Sequence, residues 1–183
     1  MARAGVFFHP VAMTEVVAGN ATIAAEIVED LDRFDAVVVP FGGGGLIGGI
    51  GSVMRRLRPG VRMIAAEAET AGPAAAALAA GGPVKVSHTP SFVDGIGSST
   101  VLEEMWPLVR QTVDAAASVS LDEIAAAIRL LASKHHVIAE GAGAASVAAA
   151  LSGRAGTGDI ACIVSGGNID AAKLGPILAG QTP

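Results

Sequence analysis

Four consecutive glycines, Gly42 to Gly45, form the stretch of the sequence best suited to binding a ligand. They follow an apolar run that ends at Pro40, and they precede a pattern typical of a helix. Because glycine has no Cβ, several backbone N–H groups can approach one anion, and the start of a helix adds partial positive charge. A tight strand-to-helix turn needs fewer glycines than this. The stretch therefore predicts a phosphate-binding loop.

The spacing of the glycines leaves open which phosphate compound is bound. Gly43, Gly45 and Gly48 satisfy the dinucleotide pattern Gly-x-Gly-x-x-Gly. Glu67 lies 19 residues after Gly48, where such sites place an acidic residue. A P-loop fits poorly because no Gly-Lys-Ser or Gly-Lys-Thr follows. One hypothesis is therefore a dinucleotide-binding oxidoreductase.

A second strand-to-helix turn has the sequence Ser165-Gly166-Gly167-Asn168 and follows another apolar run. It places the Ser165 hydroxyl at the carboxyl end of a predicted strand. Ligands bind at that end of the strands in open α/β sheets. A nicotinamide-dependent enzyme has no need of this hydroxyl, whereas a helix cap at Ser165 or Asn168 is the alternative structural role.

The elements that must position these turns are short apolar runs separated by helical patterns. Continuous apolar runs predict strands with both faces covered, and a capping box of Ser120 with Glu123 predicts a helix start. Their alternation predicts an α/β fold, a three-layer sandwich with a mainly parallel sheet, over residues 1–183 as a single domain. The predicted strands are Ala36–Val39, Arg62–Ala66, Ala115–Val119 and Asp159–Val164, with Val6–Phe8 as a candidate fifth. The predicted helices include Leu46–Leu57, Gly143–Leu151 and Ala171–Leu178, and the longest irregular stretch is Gly81–Thr100.

Composition and charge exclude several classes of protein. Of 183 residues, 51% are hydrophobic and 16% charged, which excludes intrinsic disorder. The net charge is −5. We interpret the densest basic cluster, which consists of Arg55, Arg56 and Arg58, as the solvated end of a helix. No nucleic-acid partner is therefore expected. Residues 36–54 lack charge but contain seven glycines, which argues against a membrane span. The single cysteine, Cys162, favours a reducing compartment, so we expect a cytoplasmic protein with a buried, inert thiol.

Two further candidates for chemistry receive structural interpretations. His135 and His136 follow Lys134 at the predicted end of a helix, where cations complement the helix dipole. Capping is therefore favoured over metal binding at this pair. Trp106, in a Trp-Pro step, is interpreted as a packing anchor.

Together these motifs resemble the C-terminal part of the pyridoxal-phosphate enzymes of the threonine dehydratase and serine racemase group, which have fold type II. Several separate motifs in the right order are far more specific than one glycine loop. The resemblance implies the fold of the larger domain of those enzymes, pyridoxal 5'-phosphate as cofactor and a small amino acid as substrate. The matching segments are His9-Pro10, Ala18–Ala24, Gly42–Gly45, Ala65–Glu67, Asp94–Ile96, Trp106-Pro107, Glu140–Gly143 and Ser165–Asn168.

The resemblance also implies roles for individual positions. Gly42, Gly43, Gly44, Gly45 and Leu46 would hold the cofactor phosphate through backbone N–H groups. Ser165, next to Gly166, would hydrogen-bond the pyridine nitrogen. A neutral hydroxyl gives that nitrogen little reason to stay protonated, which suits β-elimination better than reactions that need a long-lived carbanion.

Two more positions are implied near the ring, and a cation site is implied farther away. Gly95 would lie near the ring, with Glu140 beneath the same site. The family's divalent-cation site uses a glutamate, a backbone carbonyl four residues on and a carboxylate two residues further. Glu67 and Ala71 fit the first two positions, but Pro73 supplies no carboxylate, and hard cations need several oxygen ligands. We therefore expect no metal here.

In this family a lysine forms the Schiff base, within a Ser-x-Lys-x-Arg-Gly segment of an N-terminal region that also holds the substrate carboxylate. Lys85, Lys134 and Lys173 lie in none of these contexts, so no catalytic residue is assigned. We expect a fragment of a longer enzyme, one half of a split gene product or a non-catalytic derivative. The implied reaction is an ammonia-lyase reaction on threonine, serine or a similar β-hydroxy amino acid. The expected partner is the missing N-terminal half or a second copy in a homodimer.

Overall fold

The computed structural model describes residues 8–183, in which four strands alternate with seven α-helices. The strands are β1 (Ala36–Pro40), β2 (Arg62–Ala68), β3 (Ala115–Val119) and β4 (Ile160–Cys162). The helices are α1 (Thr14–Asp30), α2 (Gly45–Leu57), α3 (Pro73–Ala80), α4 (Trp106–Thr112), α5 (Leu121–Leu130), α6 (Gly141–Leu151) and α7 (Ala171–Leu178). A π-helical turn over Leu131–His135 extends α5.

The four strands form one parallel sheet in the order β3-β2-β1-β4. Val38 in β1 is paired with Ile64 on one side and with Cys162 on the other. The chain therefore moves outward in one direction from β1 through β2 to β3, and β4 then returns to the opposite side of β1. This reversal decides where a ligand can enter the fold.

Helices cover both faces of the sheet, as the continuous apolar runs predicted. Ala36 and Val38 face a core built from α5, α6 and α7, whereas Val37 and Val39 face a second core built from α1 to α4. The three-layer α/β prediction is confirmed. Within residues 8–183, no helix combines the length and the apolar character needed to cross a membrane.

The predicted boundaries mostly hold, with differences at β4, at α3 and α4, and in the irregular stretch. Strand β4 is shorter than the predicted Asp159–Val164, because the chain turns away once the Ile163 N–H has bonded the Val38 carbonyl at 3.0 Å. Helices α3 and α4 were not predicted, α3 being an alanine-rich segment without polar periodicity. No helix or strand lies between Gly81 and Met105, so the irregular stretch continues beyond Thr100. The candidate strand Val6–Phe8 lies largely outside the described residues.

The basic cluster at the end of α2 is not fully solvated, which corrects the sequence interpretation. The Arg55 guanidinium lies 2.7 Å from the Asp114 carboxylate and donates to the Thr112 carbonyl at 2.8 Å. Its side chain is only 27% exposed. Arg55 therefore links α2 to the connection between α4 and β3 instead of lying free on the surface.

Candidate functional site

The candidate site lies where the strand order reverses. Since β1 and β4 are adjacent but continue into connections on opposite faces of the sheet, a crevice opens at their carboxyl ends. Gly42 to Gly45 follow β1, and Ser165 follows β4. The two turns that were selected by sequence therefore meet at one crevice.

The glycine loop ends β1 and starts α2 within a few residues. The Phe41 N–H bonds the Ala66 carbonyl at 2.8 Å, which holds the loop against β2, and Phe41 itself is buried. Gly44 has φ +100°, a left-handed conformation that side chains rarely adopt, and α2 begins at the next residue. This geometry leaves the first N–H groups of α2 without helical partners, so they can bind an anion.

A cavity of about 290 Å³ lies in front of this loop. Its walls come from the glycine loop, the Asp94–Ile96 segment, the start of α6 and the turn after β4. The cavity brings together eight of the nine predicted cofactor-binding residues: Gly42, Gly43, Gly44, Gly45, Leu46, Gly95, Glu140 and Ser165.

The ninth residue, Gly166, does not line the cavity but holds the Ser165 turn in place. Its carbonyl accepts the Glu140 N–H at 3.0 Å. Ser146 of α6 donates its hydroxyl to the Ile163 carbonyl at 2.7 Å, just before the same turn. Gly143 packs directly against the backbone of this turn, so close that a Cβ would collide with the Gly166 oxygen. Helix α6 therefore positions Ser165, whose side chain is exposed.

The charge around the cavity is set by two helix starts and one carboxylate. Helix α2 begins at Gly45 and α6 begins just after Glu140, and both starts lie at the cavity. The Glu140 carboxylate lies against Gly95 and Gly166, where any Cβ would come too close to it. A side chain at Gly166 would therefore force the Glu140 carboxylate to move, and one at Gly95 would also meet the Ala142 Cβ at 2.8 Å.

A second cavity of about 310 Å³ adjoins the first and shares Gly95 and Glu140 with it. Lys173 of α7 donates to the Asp94 carboxylate across this cavity at 3.0 Å. The hydrogen bond from Lys173 lowers the pKa of Asp94 and raises that of Lys173. None of the lysines in residues 8–183 lines the 290 Å³ cavity.

Glu67 lies away from both cavities. Its side chain is 0% exposed, and its two carboxylate oxygens accept the N–H groups of Ala74 and Ala75, the latter at 3.0 Å. Burial raises the pKa of Glu67, while these hydrogen bonds oppose that effect. A dinucleotide site needs this carboxylate on a ribose, and here it is held by α3. In the described residues, no three His, Cys, Asp or Glu side chains group as metal ligands.

The remaining sequence candidates occupy structural positions. Burial raises the pKa of the Cys162 thiol to about 11, as expected of an unreactive cysteine, although the residue is only half-buried. Trp106 begins α4 and packs on the core beside α2. His135 ends the π-helical turn, and His136 follows in a left-handed conformation with φ 57°.

Sequence reasoning did not assign the wall of the cavity that α1 provides. Val11, just before α1, and Asn20 of α1 line the cavity; Gly45 of α2 packs against Val11, and Gly49 of α2 packs against α1. A Cβ at either glycine would collide with a carbonyl oxygen, of Val11 or of Val17. Gly45 and Gly49, four positions apart on α2, were therefore the signal in the sequence that could have predicted close packing against this face of α2.

Comparison with known proteins identifies the family and the fold of the chain. The family described as "Pyridoxal-phosphate dependent enzyme" matches residues 2–166. The L-threonine ammonia-lyase of Thermotoga maritima is 39% identical over 174 residues, covering 94% of this chain and 43% of that protein. The serine racemase of Arabidopsis thaliana is 34% identical, covering 92% of this chain and 53% of that protein.

A similar solved structure is the processed form of threonine deaminase isoform 2 from Solanum lycopersicum. It superimposes with a TM-score of 0.87 at 30% identity, covering 94% of this chain and 52% of that chain. The chain thus spans about half the length of the relatives it matches.

Proposed function

Because the chain belongs to the family of pyridoxal-phosphate-dependent enzymes, we propose that it forms the cofactor-binding half of an ammonia-lyase. The proposed substrates are threonine, serine or a similar β-hydroxy amino acid, which would yield a 2-oxo acid and ammonia. The observation that carries the proposal is the meeting of the Gly42–Gly45 loop and Ser165 across one crevice.

The residues present fit pyridoxal 5'-phosphate. A Cβ at Gly42 would make only ordinary van der Waals contacts, 3.7 Å from the Ile96 Cα and 3.8 Å from the Gly95 oxygen, so the backbone leaves room for a small group at this place. The Gly42–Gly45 loop and the start of α2 would hold the phosphate, and Ser165 would face the pyridine nitrogen. When bound, the cofactor would supply an electron-withdrawing ring conjugated to the substrate Cα.

The Ser165 hydroxyl favours elimination in this proposal. A carboxylate at the same place would stabilise a protonated ring nitrogen, whereas a neutral hydroxyl does so weakly. The ring would then hold less negative charge during the reaction. Loss of the β-hydroxyl would therefore compete better with return of a proton to the substrate Cα. Glu140 and the start of α6 would fix the distance between this hydroxyl and the Gly95 segment.

The substrate amine must meet groups that this chain does not place in the cavity. We propose that the Schiff-base lysine and the loop for the substrate carboxylate come from the half of the relatives that the chain does not match. The partner would be a polypeptide carrying that half, and a homodimer is the second arrangement to test. The exposed Ser165 turn is the side of the crevice left for it.

Cofactor binding by the chain itself tests the proposal. Pyridoxal 5'-phosphate should quench the single tryptophan, Trp106, in a saturable titration, and inorganic phosphate should compete. Gly42→Ala would place a methyl group in the proposed phosphate position and should weaken binding at least tenfold, about 1.4 kcal/mol. Gly60→Ala is the matched control, because a Cβ at Gly60 meets nothing within 4 Å. Saturable binding of NAD in place of pyridoxal phosphate would overturn the proposal.

Turnover is tested by supplying the missing half. The chain is co-expressed with the N-terminal half of the Thermotoga maritima relative, and release of ammonia and a 2-oxo acid from threonine and serine is measured. Ser165→Ala should reduce cofactor retention by the assembled protein. An assembly that binds the cofactor but eliminates from no hydroxy amino acid would contradict the proposed reaction.

A further inference from the structure

Glu67 is a fully buried carboxylate that the proposed function does not use. It lies near the end of β2, and its side chain is directed at the start of α3. One carboxylate oxygen accepts the Ala74 N–H, and the other accepts the Ala75 N–H at 3.0 Å. Both donors belong to the first turn of α3, whose N–H groups have no helical partners.

The turn between β2 and α3 is where the family resemblance implied a divalent cation, but its donor set does not fit one. Pro73 stands where a carboxylate is needed, and it is buried at the first position of α3. Gly72 packs against the Glu67 carboxylate, with its Cβ position 3.7 Å from Oε2. Besides Glu67, the turn carries the Glu69 carboxylate, which is exposed and accepts the Leu121 N–H instead. Hard cations need about six to eight oxygen ligands, with water making up only part of that number.

We infer that the N-terminus of α3 replaces the cation at this turn. A buried carboxylate needs a positive partner or charge-assisted hydrogen bonds, and α3 supplies two N–H groups together with its partial positive charge. Pro73 suits this arrangement, since proline at the first helical position gives up an N–H that has no partner there. The turn is therefore organised without any metal ion.

This inference has a consequence for regulation. The fold of the chain should be insensitive to Mg²⁺, Ca²⁺ and Mn²⁺, and removal of divalent cations by EDTA should leave it unchanged. If the proposed function is right, activity of the assembled enzyme should likewise be the same in EDTA. The structural test needs no cofactor, so it can fail or succeed independently of the proposed function.

The decisive experiment follows the Ala74 and Ala75 amides of the full chain by NMR. In the wild type, both amides should be protected from hydrogen exchange, and titration with Mg²⁺ or Ca²⁺ to millimolar levels should leave their resonances unmoved. A saturable shift of these two resonances with either cation, or a rise in the midpoint of thermal unfolding with the same titration, would overturn the inference.

Two variants provide a second test of the inference. Glu67→Ala should abolish the protection of the Ala74 and Ala75 amides. Glu69→Ala is the matched control, because Glu69 is exposed and accepts the Leu121 N–H instead, so both amides should stay protected. If Glu67→Ala leaves the exchange of the two amides unchanged, the carboxylate does not hold α3. The wild-type titration decides the question on its own should that variant fail to fold.

Discussion

Replacing Gly143 by alanine tests whether α6 positions the Ser165 turn. A Cβ at Gly143 would lie 2.6 Å from the Gly166 carbonyl oxygen and 3.0 Å from the Gly166 nitrogen. Both atoms are backbone and cannot rotate away. Gly19 is a matched control, since it lies within α1, is exposed, and a Cβ there would meet nothing within 4 Å.

The two substitutions should have opposite effects on stability. Alanine is favoured over glycine inside a helix by about 1 kcal/mol, so Gly19→Ala should stabilise the chain by about that amount. At Gly143 the same gain is outweighed, because overpacking costs about 1–3 kcal/mol. Any shift of the turn also weakens the hydrogen bonds to the Gly166 and Ile163 carbonyls, each of about 1 kcal/mol. Gly143→Ala should therefore destabilise by about 1–3 kcal/mol.

Urea denaturation followed by circular dichroism measures this difference. The free energies of unfolding of the two variants should differ by about 2–4 kcal/mol with unchanged denaturant slopes. If Gly143→Ala proves as stable as Gly19→Ala, α6 does not touch the turn as described. Gly143→Ala should also bind pyridoxal phosphate more weakly than Gly19→Ala, because Ser165 would be displaced.

Three further predictions concern single side chains outside the crevice. His136→Gly should stabilise the chain by about 0.5–1 kcal/mol in thermal unfolding, because φ 57° strains any residue with a Cβ, while His136→Val should destabilise it. Native Cys162 should react with iodoacetamide at pH 8 about 100-fold more slowly than after unfolding in urea, since its pKa is raised to about 11 from 9.0. Hydrogen bonding by Ser120 and pairing with Arg154 lower the pKa of Glu123 below 4.5, so its stabilisation is present above pH 4.5 and lost as the pH falls through the lowered pKa. Glu123→Gln should flatten the acid limb of the stability–pH curve, and an unchanged limb would contradict this assignment.

The sheet was predictable because its strands carry their own signals. Parallel strands are buried on both faces, and runs such as Ala36–Val39 are apolar at every position. The capping box at Ser120 is likewise local, and it is present in the structure. Helix α3 had a weaker signal: Pro73 suits the first helical position, but the helix is alanine-rich and shows no polar face, and its first N–H groups are held by the Glu67 carboxylate of β2.

The site could be predicted only in part, because its assembly depends on contacts between residues far apart in the chain. The Gly42–Gly45 loop and the Ser165 turn each follow a strand, so their location at the carboxyl edge follows from the sequence alone. That they share one crevice depends on β4 lying next to β1, a pairing between residues far apart in the chain. Gly95 and Glu140 carry no local signal, and only the family resemblance brought them into the predicted site.

The two ends of the crevice differ in how much of their surroundings this chain supplies. The glycine loop is enclosed, because Gly43 and Gly45 pack against Val11, and Gly44 packs against Val109 of α4. The Ser165 turn is supported from one side, by α6 and by the Ile138–Glu140 segment just before it, and Ser165 remains exposed. Burial strengthens interactions with charged groups, so the enclosed end should supply most of the affinity of this chain for the cofactor. Inorganic phosphate should therefore compete strongly, and the contribution of Ser165 should grow only when a partner covers its side of the crevice.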